Sequence, residues 1–146
     1  MADLNEDEVN EVLSRRKRII GDIRWRKRLG YQEFSADVLS DEADYEMTLV
    51  GSVTEATGYT KLNLFVGPQP IAMLHRGKIH HNPSCERLTA VAHKHRWTDA
   101  HKARTAYVPA DIDSSSWEGL FRSFLKECNI GLEGKFVPPS PQRRKL

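Results

Sequence analysis

The segment EFSADV, residues 33–38, determines the fold prediction because apolar and polar residues alternate along it. A period of two places its apolar residues on one side of an extended strand and its polar residues on the other. After the turn-forming run SDEAD (40–44), the alternation resumes across residues 45–53. The two stretches predict an antiparallel hairpin with one buried face.

More strands are predicted after this hairpin. Apolar residues alternate with polar ones in 62–66, and residues 71–75 form another short apolar run beyond the turn residues 67–70. The tripeptide at 76–78 can turn the chain back, and residues 105–108 favour an edge strand. The sequence therefore predicts an antiparallel β-meander of four to five strands.

A long helix is predicted before the meander. Apolar residues recur at three- and four-residue spacing across residues 9–23, which is typical of an amphipathic helix. Asp3 or Asn5 can cap its start. The run RRKR at 15–18 then gives this N-terminal helix a basic outer face, and its end is expected between Gly21 and Gly30.

Two further helices are predicted. The first is a short helix over residues 84–92, in the histidine-rich segment, with Ser84 as its cap. The second is a C-terminal amphipathic helix packed on the sheet. Ser115 and Glu118 form a capping-box pair at its start, its apolar face runs over residues 117–128, and residues 129–131 end it.

The predicted fold class is thus α+β, with a single α+β domain over residues 1–134 and a flexible, basic, proline-rich tail over residues 135–146. With 39% hydrophobic and 29% charged residues, the chain has the composition of a globular protein, and no apolar stretch reaches the roughly 20 residues that span a bilayer. The acidic N-terminus does not resemble a secretory signal. We therefore expect a cytoplasmic protein with no membrane partner and with both cysteines reduced.

Charges occur in blocks of one sign. Residues 15–30 carry eight basic side chains and one acidic, and residues 61–110 carry eight basic and two acidic. Between them, residues 31–60 carry seven acidic side chains and none that are basic. Such segregation predicts a basic face that attracts a polyanion, nucleic acid and RNA in particular, and an acidic face that can bind a protein partner.

All six histidines lie between His75 and His101, interleaved with lysine and arginine. Two imidazoles and a cation can cleave RNA without a metal. One imidazole removes the proton of a 2′-hydroxyl, the second protonates the leaving oxygen, and the cation stabilises the charged intermediate. The leading hypothesis is therefore a toxin-like, metal-independent endoribonuclease. Its candidate catalytic residues are His80, His81, His93, His95, Lys94 and Arg96.

Aromatic residues placed among cations indicate nucleic-acid contacts, because a ring can stack on a base while its neighbours hold phosphates. The two tryptophans of this kind are also candidates for the core. The predicted nucleic-acid-binding residues are Arg24, Trp25, Arg26, Lys27, Arg76, Lys78, Trp97, Lys102 and Arg104.

Two alternatives remain open. One is a non-catalytic module that binds nucleic acid or protein, such as a small regulatory or inhibitor protein. The other is a zinc-stabilised binding domain with ligands from the histidines and Cys85. The spacing of these residues matches none of the recurrent zinc patterns, so we expect no metal and no cofactor.

Overall fold

The computed structural model describes residues 4–42, 45–57, 59–76, 80–81, 87–88, 92–98, 102–107 and 117–139. Within this part of the chain lie two helices and eleven strands, an α+β arrangement as predicted. In chain order they are α1 (Glu6–Ser14), β1 (Lys17–Ile19), β2 (Arg26–Lys27), β3 (Tyr31–Ser40), β4 (Met47–Thr54), β5 (Thr60–Val66), β6 (Gln69–Arg76), β7 (His80–His81), β8 (Arg87–Leu88), β9 (Ala92–Thr98), β10 (Lys102–Tyr107), α2 (Trp117–Glu127) and β11 (Ile130–Leu132).

Nine of the strands form one sheet, in the order β10-β9-β6-β5-β4-β3-β1-β11, with β2 paired to β3 off this path. The consecutive strands β3 to β6 are antiparallel neighbours, which confirms the predicted meander. β10 is an edge strand, also as predicted. The ladder between β1 and β11 is parallel, so the sheet is mixed. β7 and β8 pair with each other in a separate two-stranded sheet.

One face of the large sheet, called here the inner face, packs against both helices in a common hydrophobic core. Alternate residues of the strands reach this core, and Leu49, Leu62 and Leu64 have no exposed surface. Gly51 is required at its position because a Cβ atom there would collide with the ring of Phe34. The side chains of the inner face are therefore closely packed.

The C-terminal helix α2 matches its prediction. Besides Trp117, whose side chain lies outside the described part of the structure, its predicted apolar residues are buried, namely Leu120, Phe121, Phe124, Leu125 and Cys128. The ring of Phe121 meets that of Phe34 edge-on, with centroids 5.9 Å apart, which joins the helix to the sheet. The helix ends at Glu127, and Asn129 adopts a left-handed φ of 57° in the predicted terminating segment. Ser115, the predicted cap, lies outside the described residues.

The segment after β11 packs on the core. Phe136 stacks on Phe121 with ring centroids 4.2 Å apart and forms a parallel bridge with Ile23. Part of the predicted tail therefore contributes to the core, because a large aromatic ring gains from burial even next to prolines. Residues 140–146 lie outside the described part of the chain.

The N-terminal helix is shorter than predicted. α1 begins at the N-cap Asn5 and ends at Ser14, after which Arg15 is extended with ψ 144°. Its first turn is acidic and its last turn holds no basic residue. The prediction of a long basic helix was therefore wrong.

Lys17 explains where this helix ends. Its buried ammonium donates to the carbonyl oxygens of Val12, Leu13 and Arg15 at 2.6, 3.0 and 2.7 Å. The last carbonyls of a helix lack partners within the helix, and a cation close to them is favourable. Apolar residues beyond Ser14 then reach the core by strand alternation, with Ile19 2% exposed. Their helical spacing was coincidental.

The histidine-rich segment forms strands in its described residues. Arg87–Leu88 pairs with His80–His81, and Ala92 begins β9, where a helix over 84–92 had been predicted. β9 pairs with β6 and so supplies hydrogen-bond partners to backbone groups of a strand that would otherwise form the sheet edge. This long-range pairing outweighs a local helical pattern. The other residues of the predicted helix lie outside the described residues.

Within the described residues, neither helix has the length and apolar character needed to cross a membrane.

Candidate nucleic-acid interface

The second face of the large sheet, called here the outer face, carries the residues that alternate along each strand with the core residues. These side chains are half-buried or exposed, whereas their neighbours along each strand are largely buried. On β4, β5 and β6, and on the residue before β5, the outer-face residues are Thr48, Val50, Ser52, Thr54, Tyr59, Lys61, Asn63, Phe65, Met73 and His75.

Strand register assembles a row of basic and histidine positions on this face. His75 of β6 pairs with Lys61 of β5 on one side and with His93 of β9 on the other. Directly opposed residues of an antiparallel pair lie on the same face, with Cβ atoms about 5 Å apart. We call Lys61, His75 and His93 the histidine row. The next row on the same face holds Asn63, Met73 and His95.

An aromatic ring borders the histidine row. The Tyr59 ring meets the imidazole of His75 edge-on, with centroids 5.8 Å apart. The ammonium of Lys61 lies 5.6 Å from the centroid of the Tyr59 ring, within the range of a cation–π contact. Burial raises the pKa of Tyr59, so its hydroxyl remains a neutral hydrogen-bond donor at neutral pH. The row thus combines a cation, imidazole positions and an aromatic ring.

The outer face is electrostatically polarised. Its positions on β3 include Glu33 and Asp37, whereas Lys61 and the histidine positions lie on β5, β6 and β9. Adjacent strands are about 4.8 Å apart, so β3 and β5 are separated by about 10 Å. A bound polyanion would therefore be attracted to the β5–β9 side of the face.

Strand register assigns the predicted catalytic residues of β9 to positions on two different faces of the sheet. Lys94 pairs with Leu74, a core residue with no exposed surface, so it occupies an inner-face position. Arg96, two residues further along β9, pairs with Thr105 and shares that phase of alternation. His93 and His95 occupy outer-face positions. Strand alternation thus assigns the lysine and arginine positions of β9 to one face of the sheet and its histidine positions to the other.

His80 and His81 lie in β7, which belongs to the small two-stranded sheet rather than to the large one. The pairing of β7 with β8 places His80 opposite Leu88 and His81 opposite Arg87. The large sheet therefore brings together His93 and His95 from the predicted catalytic set and adds His75, which the prediction had placed in a strand without a catalytic role.

The predicted nucleic-acid contacts are dispersed. Trp25 packs against the core with its ring 4.8 Å from that of Phe34, so its indole anchors the fold. Arg24, Arg26 and Lys27 are exposed beside it. Arg76 is half-buried at an inner-face position opposite buried Thr60, and burial lowers its pKa. Trp97 lies in β9, Lys102 and Arg104 lie in β10, and Lys78 lies outside the described residues.

Lys61 and Tyr59 were missed by sequence reasoning. Lys61 directly precedes the strand predicted at 62–66, and extending the alternation of that strand by one residue would have placed it on the outer face. Its proximity to a histidine required the pairing between β5 and β6, which no local pattern reveals. Tyr59 precedes that strand and had no motif to mark it.

Among the described residues, no group of three or more histidine, cysteine, aspartate or glutamate side chains is arranged to hold a metal ion. Cys128 is a buried thiol directly after α2, and Cys85 lies outside the described residues. No family model, curated protein or solved structure matches the chain.

Proposed function

We propose that this protein binds single-stranded RNA on the outer face of its sheet, in the cytoplasm, and cleaves it without a metal ion. The observation that supports the proposal is the histidine row, in which cross-strand pairing sets Lys61, His75 and His93 side by side. This chemistry requires two imidazoles and one cation close to a single phosphate. The row supplies that combination, and of its three residues only His93 was among the catalytic candidates predicted from the sequence.

In the proposed reaction, one imidazole of the row takes the proton of a ribose 2′-hydroxyl as that oxygen attacks the adjacent phosphorus. The bond from phosphorus to the 5′-oxygen breaks, and the other imidazole donates a proton to the leaving oxygen. The products are a 2′,3′-cyclic phosphate and a free 5′-hydroxyl. Lys61 stabilises the additional negative charge on the phosphoryl oxygens during the transfer.

Tyr59 supports the assignment of a single strand as substrate. Unpaired bases can stack on aromatic side chains, and such stacking is worth about 1–3 kcal/mol per base. The Tyr59 ring is half-buried on the outer face and already contacts the imidazole of His75. A base seated against Tyr59 would place its neighbouring phosphate close to the row.

The test is incubation of labelled single-stranded RNA with the protein in EDTA. Wild type, Lys61→Met and His75→Ala are compared. The matched controls are His80→Ala and His81→Ala, because both residues belong to β7, which is not a strand of the large sheet. We expect a cyclic-phosphate product, a loss of about 100-fold or more in His75→Ala, and near-wild-type rates in the controls. A strand of the same sequence with 2′-deoxy sugars should bind and stay intact, because it lacks the attacking 2′-hydroxyl.

A non-catalytic nucleic-acid-binding module is the second candidate, favoured by the contact between Tyr59 and His75, which forms a stacking surface without requiring proton transfer. RNA binding without cleavage in the same experiment would select this alternative. Absence of binding even at low salt would contradict both candidates, because phosphate contacts are strongest there.

A further inference from the structure

The hairpin formed by β2 and β3 carries a fully exposed leucine at its tip. Leu29 is 100% exposed, the largest exposure among the apolar residues of the described part of the chain. The turn is closed by the backbone N–H of Arg28, which donates to the carbonyl of Tyr31 at 2.7 Å, and Gly30 supplies the left-handed φ of 82°. Tyr31 itself is 40% exposed.

Further contacts support this exposed tip. The backbone N–H of Glu55, after β4, donates to the carbonyl of Gly30 at 2.9 Å. The guanidinium of Arg28 forms an ion pair with Glu33 at 2.9 Å across the hairpin. The turn that carries Leu29 is therefore held to the sheet on both sides of this residue, through Arg28 and Gly30.

The hairpin is also strongly basic. Residues 24–28 contain four cations and no acid. Arg26 and Lys27 are both exposed, and neither forms an ion pair within the described residues. Lys27 pairs with buried Gln32 at an inner-face position, whereas Arg26 pairs with Glu33 at an outer-face position. Arg28 is neutralised by Glu33, so the outer-face charge available to a ligand comes mainly from Arg26.

A row of outer-face residues links the hairpin to the histidine row. Tyr31 pairs with Thr54 of β4, and the backbone N–H of Thr54 donates to the carbonyl of Tyr59 at 2.9 Å. The Tyr59 ring then contacts His75. From β3 to β6 this path crosses three interstrand spaces, a distance of about 14 Å.

We propose that the β2–β3 hairpin is a second contact for the same RNA strand, in which Arg26 holds a phosphate and Leu29 packs against a base. Cations that contact phosphates bind any sequence, and an exposed apolar side chain can insert beside a base in place of a stacking neighbour. This inference rests on the proposed function, because it assigns the extent of the same binding surface. RNA is favoured over other partners because the Tyr31–Tyr59 path leads directly to His75.

The test compares Arg26→Gln with the control Arg18→Gln, which removes an exposed cation opposite the other end of β3. Binding is measured by fluorescence anisotropy with RNA strands of about 4 and about 12 nucleotides across a salt series. For the long strand we expect the hairpin variant to bind about threefold more weakly at low salt, with a salt slope smaller by about 0.7. The short strand should bind both variants equally.

Leu29→Ser provides a second variant, with Val137→Ser as its control because Val137 is also an exposed apolar residue, at 51%. We expect about fivefold weaker binding of the long strand for Leu29→Ser and no change for the control. Both variants remove exposed side chains, so folding should be unaffected.

The results separate the two proposals. If the hairpin variants bind RNA as strongly as wild type, the hairpin inference is overturned, while the proposal for the histidine row stands. Wild type that binds no RNA would overturn both. Leu29-dependent binding to phosphatidylserine vesicles, with RNA binding unchanged by the variants, would also overturn the hairpin inference and assign the tip to a membrane surface.

Discussion

Lys17 and Lys61 lie on opposite faces of the same sheet and illustrate how burial determines what a lysine does. Lys17 is 2% exposed, and its ammonium is occupied by three backbone carbonyls at the end of α1. Lys61 is exposed on the outer face, beside Tyr59 and opposite His75. The inner-face lysine completes the backbone hydrogen bonding of the fold, whereas the outer-face lysine is available to a ligand.

The same contrast holds along β5 itself, where Leu62 is fully buried and Lys61 is exposed. Leu62→Ala should lower the free energy of unfolding by about 2–5 kcal/mol because it leaves a cavity in the core. Lys61→Ala should lower it by less than about 0.5 kcal/mol. Urea unfolding followed by circular dichroism gives both values, and similar losses in the two variants would contradict the assignment of faces.

The two lysines are compared directly by Lys17→Met and Lys61→Met. Lys17→Met keeps an apolar stem but removes the ammonium that donates to the carbonyls of Leu13 and Arg15, so we expect a loss of about 1–3 kcal/mol in unfolding free energy. Lys61→Met should cost little stability and reduce RNA cleavage. If Lys17→Met is as stable as wild type, the helix end does not depend on this ammonium.

A pH series tests the burial of Lys17. Burial lowers the pKa of Lys17 to about 8 in the folded protein, from an ordinary value of 10.5 that the unfolded chain retains. Between these values the unfolded chain binds the extra proton, so the free energy of unfolding rises with pH, whereas below pH 8 the contribution is constant.

Relative to Lys17→Met, wild type should therefore gain about 1 kcal/mol between about pH 8 and about pH 9. Urea unfolding of both proteins at each pH isolates this contribution from that of other titrating groups. A gap that stays constant or narrows over this interval would contradict the lowered pKa of Lys17.

Strands β3 to β6 and helix α2 could be predicted because their periodicity is local. The face that Phe34 or Leu62 occupies depends on the alternation within its own strand, and the spacing of residues 120–128 depends on one helix. The end of α1 could not be predicted in this way. It depends on Lys17, whose role follows from burial in the completed fold and not from any sequence pattern.

The candidate site was predictable in composition but not in arrangement. The concentration of histidines drew attention to this segment, but His93 and His95 were expected after a helix, and the pairing of His75 with His93 joins β6 to β9 across intervening residues. A shift of one residue in that pairing would exchange His93 for Lys94 on the outer face. The membership of the row is therefore a property of long-range register, which also explains why Lys61 was overlooked.

The claim that the histidine row acts as one unit is tested most directly by single-turnover RNA cleavage in EDTA for His75→Ala, His93→Ala and the double variant. If both imidazoles act on one phosphate, each single variant should lose about 100-fold or more, and the double variant should lose little beyond either single one. Wild-type rates in either single variant, or losses that multiply in the double variant, would contradict the account.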